Sequence, residues 1–293
     1  MRGPTRAETL PPRGARLYAS PDVRRLALLF VPALAFGALT ACDKEAVHVG
    51  FRPVAGATYR YEIKVQSVTT TVLGDEPPSR STDEVTLESR DTVLSAAPEE
   101  VRVRVELHRA GSPHRTFTVR FDRGAQLAGV DEVDGLPPEV LGPVGLPEFL
   151  PAAVTAPPDR ALSPGERWEI DATPSLPGGQ SVRLEGTGRL VKVTSSGGRK
   201  VASIRAETTL PLSSTSRLGG AMVTLTGTET TESTAMRALA DGAVQEASSV
   251  TRGTYDVAVT PEARSGGMPV RGTMEVEIRS QTRRLPDEGG AKG

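Results

Sequence analysis

Residues 101 to 107 read Val-Arg-Val-Arg-Val-Glu-Leu, so every second side chain is apolar and each one between is charged. A helix with 3.6 residues per turn scatters that pattern around its surface, whereas a strand sends it cleanly to two faces, one buried and one in water. The alternation recurs along the chain. Tyr59, Tyr61, Ile63 and Val65 interleave with Arg60, Glu62 and Lys64; Val85 and Leu87 lie among Thr86, Glu88 and Arg90; Phe117, Val119 and Phe121 flank Thr118 and Arg120. It continues at Trp168 and Ile170, through 182–193, 201–210, 223–234 and 244–259, and at Met274, Val276 and Ile278. Between the runs stand Gly74-Asp75-Glu76-Pro77-Pro78, Gly111-Ser112-Pro113, Gly197-Gly198, Gly219-Gly220, Asp241-Gly242 and Gly266-Gly267, residues that suit tight hairpin turns. The expected fold is all-β, a large antiparallel meander sheet curled into a half-barrel or barrel.

The β domain is expected over 55–284, either whole or as two β halves, 55–130 and 164–284, with 285–293 a disordered tail. The joining segment, 131–163, carries Pro137, Pro138, Pro143, Pro147, Pro151, Pro157 and Pro158 among apolar residues such as Leu141, Leu146 and Phe149. That proline density rules out a long helix or an inner strand. Short helical turns near Glu139–Leu141 and Glu148–Ala153 are expected to cover the open side of the sheet, as a linker over core edges or as a lid on a ligand cavity. The halves open alike, with Gly56 ahead of Tyr59 and Gly165 ahead of Trp168.

The N-terminal region reads as an address. Residues 26–41 are uncharged and nearly all apolar, and they follow Arg24-Arg25. The run is shorter than the roughly 20 residues needed to span a bilayer and ends in small side chains, which is a signal-peptide layout. Leu39-Thr40-Ala41-Cys42 resembles the lipobox of bacterial lipoproteins, with the chain's sole cysteine at its last position. The resemblance implies cleavage between Ala41 and Cys42, a diacylglycerol thioether on Cys42, a lipidated tether over 42–54, and residence in the bacterial cell envelope on the inner or outer membrane. Two or three acyl chains make a stable anchor, since each buried methylene contributes about 0.8 kcal/mol. Residues 1–22 fit neither signal nor domain, and initiation at Val23 would leave a short Arg-Arg start before the apolar run.

Chemistry-bearing motifs are sparse. One cysteine excludes a disulfide framework, and a net charge of −1 offers no basic field for nucleic acid. His48 lies in the expected tether; His108 and His114 flank a turn beside Arg109 and Arg115, neighbours that disfavour a metal. No phosphate loop, nucleophile elbow, dinucleotide fingerprint or zinc spacing occurs, and Glu99-Glu100 and Asp131-Glu132 read as solvated turn charges. The Thr-rich run 224–234 suits a strand with a wet face. No metal, cofactor or catalytic residue is expected. In pattern over 57–284, the anchored chain of hairpins resembles the LolA/LolB-like lipoprotein-localisation superfamily, which implies a curved half-barrel carrying acyl chains under short plugging helices. The expected role is a non-enzymatic binding module for a lipid or other apolar ligand; the alternative is a structural or assembly lipoprotein docking onto an envelope protein.

Overall fold

The computed structural model describes residues 45–111, 114–134, 153, 155–175, 183–218, 220–261 and 268–286. The signal segment, Cys42 and the tail beyond residue 286 lie outside the described residues, as do the expected turns in 136–154 apart from Ala153.

The fold is all-β. Eleven strands form one antiparallel sheet in the order β6-β5-β4-β3-β2-β13-β12-β11-β10-β9-β8. They are β2 (Thr58–Leu73), β3 (Ser79–Ala96), β4 (Val101–Arg109), β5 (Arg115–Phe121), β6 (Leu127–Asp134), β8 (Arg167–Ala172), β9 (Leu184–Ser196), β10 (Arg199–Leu218), β11 (Ala221–Ala238), β12 (Val244–Pro261) and β13 (Val270–Arg284). A small second sheet pairs β1 (Val47–His48) with β7 (Ala161–Leu162). The first and last long strands are neighbours, paired from Tyr61↔Arg284 to Leu73↔Gly272, so both halves of the sequence belong to one continuous sheet.

That sheet is nearly closed into a barrel, with one unsealed seam between β6 and β8. Strand parity accounts for the seam. In an antiparallel series of eleven the two end strands run the same way, and parallel neighbours cannot be joined by a hairpin. At the seam a parallel bridge joins Gly129 to Ser175, with Val130 N–H donating to the Ser175 carbonyl at 2.9 Å and Ser175 N–H to Ala128 at 3.1 Å.

Alternation sorts the faces as the sequence requires. Inward positions include Ile63, Val103, Val105, Val119, Phe121, Leu190 and Ile204, all fully buried, while outward positions carry charge. Arg205, Glu232, Arg252, Glu277 and Arg279 run across β10 to β13 as a chain of ion pairs, with Arg205 3.1 Å from Glu232 and Arg252 3.2 Å from Glu277. All are substantially exposed, so each pair adds little stability. Apolar inside and charged outside is the reverse of a membrane-spanning barrel, whose outer band faces lipid. Among the described residues no helix is long and apolar enough to cross a membrane.

One end of the barrel is plugged. The expected tether over 42–54 is not free from Val47 onward: Val49 is fully buried and Phe51 is 3% exposed. Phe51 packs on Tyr59 and Phe121 with ring centroids 6.0 Å away from each. Arg52 N–H donates to the Asp241 carbonyl at 2.8 Å, and the Tyr59 hydroxyl donates to the Asp241 carboxylate at 3.1 Å. Gly242 holds a φ of +72° against this segment, and a Cβ there would lie 2.0 Å from the Gly50 carbonyl oxygen. An apolar stretch next to a barrel mouth is more stable buried than in water, so it closes that mouth.

The two similar openings noted in the sequence are one turn used twice. Ala57 N–H donates to Val54 and Glu166 N–H to Ser163, with Gly56 and Gly165 at positive φ in the third position, the type II arrangement. Gly56 and Ala57 then exchange two hydrogen bonds with Val93, and Gly165 and Glu166 do the same with Leu190.

Candidate functional site

Three places gather polar or titratable side chains: the interior, the outer face of the long strands, and the β4–β5 hairpin.

In the interior, inward parity puts polar groups where apolar ones would pack. Asp91 on β3 is 5% exposed, and Ser89, two residues along on the same face, donates its hydroxyl to it. Burial raises the Asp91 carboxyl to about 7 against the opposing effect of that hydrogen bond. The Tyr61 hydroxyl is pushed well above its usual value by burial and then by Asp91, while burial brings fully buried Arg237 down to about 10, with Tyr61 acting in the other direction. Arg237 donates to the Gly242 carbonyl at 3.0 Å, tying this layer to the plugged end. Further along the strands, Tyr255 donates its hydroxyl to buried Glu229, and Thr231 and Thr251 share a hydrogen bond at 2.8 Å. Tyr255 faces Gly227 across the sheet and follows Gly253 on the same face; a Cβ at either glycine would meet its ring. The missing side chains let the ring lie along the sheet. Sequence reading missed these groups, although parity marked them, since Asp91 follows Leu87 and Ser89 on the inward set.

On the outer face, β10 to β13 and β2 enclose a groove of about 630 Å³ whose lining includes Glu62, Lys64, Met236, Ser248, Gln281 and Arg283. Two further grooves, of about 570 and 320 Å³, flank Arg252 among Thr226, Thr228, Thr254, Asp256, Thr70 and Glu275. Most of the residues that line all three carry a hydroxyl or a charge. The Thr-rich run lies here as expected: Thr226 and Thr228 are exposed, and Thr234 and Ser248 share a bond at 2.8 Å. The grooves are suited to a polar partner that offers many hydrogen bonds.

The remaining sequence-marked residues divide. Glu100 and Asp131 are ion-paired through Arg120, at 3.3 and 2.7 Å, and stand as surface pairs. His48 Nδ1 accepts from Arg52 at 3.0 Å. His108 and His114, in contrast, converge, with ring centroids 4.2 Å apart and planes at 80°. Among the described residues no three His, Asp or Glu side chains are gathered closely enough to hold a metal ion.

No family model matches this chain, and no curated protein matches it. Among solved structures the chain is similar to a loop-deletion mutant of OmpT, an outer membrane protein of Vibrio cholerae, at 8% identity over 79% of this chain and 100% of that one, with a TM-score of 0.18. Likeness at that level says nothing of the role of this chain.

Proposed function

We propose that this chain is a lipid-anchored bacterial envelope protein that works by binding, and that it presents the polar outer grooves of a rigid barrel to an envelope protein partner. The observation that carries the reading is the inverted barrel: its apolar side chains fill the interior, and its grooves open on the hydroxyl- and charge-bearing face. The anchor is Cys42, after cleavage behind Ala41. Strand pairing begins at Val47, five residues after Cys42. The longest strand, β10, has 20 residues and extends roughly 65 Å.

A photo-crosslinking residue placed at Ser248 or Thr254 in the full chain, in membranes of its host, tests the binding surface. The expected result is a discrete adduct from both groove positions and none from Arg104, which faces outward on short β4. Bait alone from the groove positions overturns the reading. The anchor is tested separately by Cys42→Ser, expected to give an unacylated chain, against a diacylated mature chain beginning at Cys42 for the wild type.

A second reading, a carrier of an apolar ligand, is favoured by the seam, which brings buried Val130 on β6 and buried Ile170 on β8 to the unsealed edges. It expects co-extracted acyl species in native mass spectra of the full chain, and clean spectra count against it.

A further inference from the structure

The β4–β5 hairpin ends in two histidines that lie in ring contact. In register, Glu106 faces Thr116 and Leu107 faces Arg115, which places His108 against His114 as the next cross-strand pair. On the other side His108 faces Glu88 of β3. Glu88, His108 and His114 therefore stand in one row, on three adjacent strands, on the outward face. His114 is exposed and His108 half-buried, so the pair is open to solvent.

The adjoining arginines do not oppose a cation here. Arg109 and Arg115 belong to the opposite parity, which along these strands includes buried Leu107, Val105 and Phe117, so alternation sends them to the other face. The outward neighbours of His108 along and across the strands are Glu106 and Glu88, with Arg90 opposite Glu106 and Arg60 diagonal to Glu88. Exposed Glu88 meets half-buried Arg60 at 3.8 Å, a long contact of the kind worth little to break. Directly opposed Cβ atoms in a sheet are about 5 Å apart, a span that lets a Glu side chain swing toward the neighbouring imidazole.

We propose that His108 and His114 form a two-imidazole site on the outer face for a divalent first-row transition ion, copper(II) ahead of zinc or nickel. Imidazole suits all three ions, and the intrinsic order of affinities favours copper(II). Glu88 supplies a third donor on rearrangement, and water completes the coordination. Neutral imidazole is the ligating form, so binding weakens on acidification. The histidine pair lies two strands and more from the first outer groove, whose Glu62 faces Glu88 across β2 and β3, and it does not depend on the anchor or on the partner proposed above.

The test is titration of the full chain, purified in detergent, with copper(II) chloride, followed by electron paramagnetic resonance and calorimetry. The expected result is one ion per chain with nitrogen couplings from two imidazoles. His108→Ala and His114→Ala should each remove one coupling and weaken binding by at least the roughly 10–100-fold that loss of a supporting partner costs at metal sites. Glu88→Gln should weaken it less, and His48→Ala should leave it unchanged. Because these side chains sit on the surface, a strand-rich circular dichroism spectrum in every variant separates loss of ligand from loss of fold. Unchanged copper affinity and spectrum in the double histidine variant, or no binding by the wild type, overturns the proposal.

Discussion

Asp91→Asn isolates a strongly perturbed carboxyl in the interior. Burial holds its carboxyl at about 7, against 3.8 in the unfolded chain, a difference of about 3 units and roughly 4 kcal/mol at 1.36 kcal/mol per unit. Because the folded value is the higher one, the fold takes up the proton first. The contribution of Asp91 is fully present below about pH 4 and is lost as pH rises through about 7, since an ionised carboxylate is then held away from water. Asparagine keeps an oxygen to accept from Ser89 and has no charge to lose. The variant should therefore match the wild type near about pH 4 and exceed it near about pH 8 by an amount approaching, and not surpassing, roughly 4 kcal/mol. Urea unfolding at both pH values, followed by the fluorescence of Trp168, the only tryptophan, measures the difference directly. Surface carboxylates such as Glu277, held low by its hydrogen bond with Arg279, contribute equally to both proteins and cancel. A gap between wild type and variant that does not change with pH, or a variant weaker than wild type at the higher pH, refutes the assignment.

Two further substitutions test the packing. Gly188→Ala puts a Cβ 2.1 Å from Cε2 of Trp168, whose ring crosses that glycine and whose indole N–H donates to the Ala156 carbonyl at 3.0 Å; a loss of about 1–3 kcal/mol from overpacking and a red-shifted emission are expected, and unaltered emission would show the ring elsewhere. Phe51→Ala unplugs the barrel end and should cost about 3–5 kcal/mol in urea unfolding, whereas a change within about 0.5 kcal/mol would show that residues 47–53 lie loosely on the surface.

Period-two alternation made the strands and their faces legible, because a residue's parity alone decides whether it meets the core or water. The runs at 59–65, 101–107 and 117–121 became β2, β4 and β5 with their apolar members inside. The repeated opening was legible for the same reason: glycine is the residue that a type II turn requires at its third position. The plug was not, since Val47, Val49 and Phe51 make too short an apolar run to distinguish a packed segment from a tether until a barrel mouth exists beside them. The buried polar groups lay between. Asp91, Glu229 and Arg237 all sit at inward parity, yet parity cannot say whether a charged residue ends a strand, faces a cavity or is buried. The histidine pair was hidden by sequence proximity, for the arginines adjacent to His108 and His114 in the chain face the other way in the sheet.

The seam also has its origin in counting. Meander neighbours alternate in direction, so a sheet of twelve strands would seal itself with an antiparallel pair, whereas eleven leaves β6 and β8 parallel. A hairpin cannot join parallel strands; the chain must return along the height of the barrel before β8 begins. Between β6 and β7 the sequence carries Pro137, Pro138, Pro143, Pro147 and Pro151, and proline, lacking a backbone donor, is disfavoured in an inner strand. The interruption of the strand pattern in the sequence thus falls where the strand order calls for something other than a hairpin.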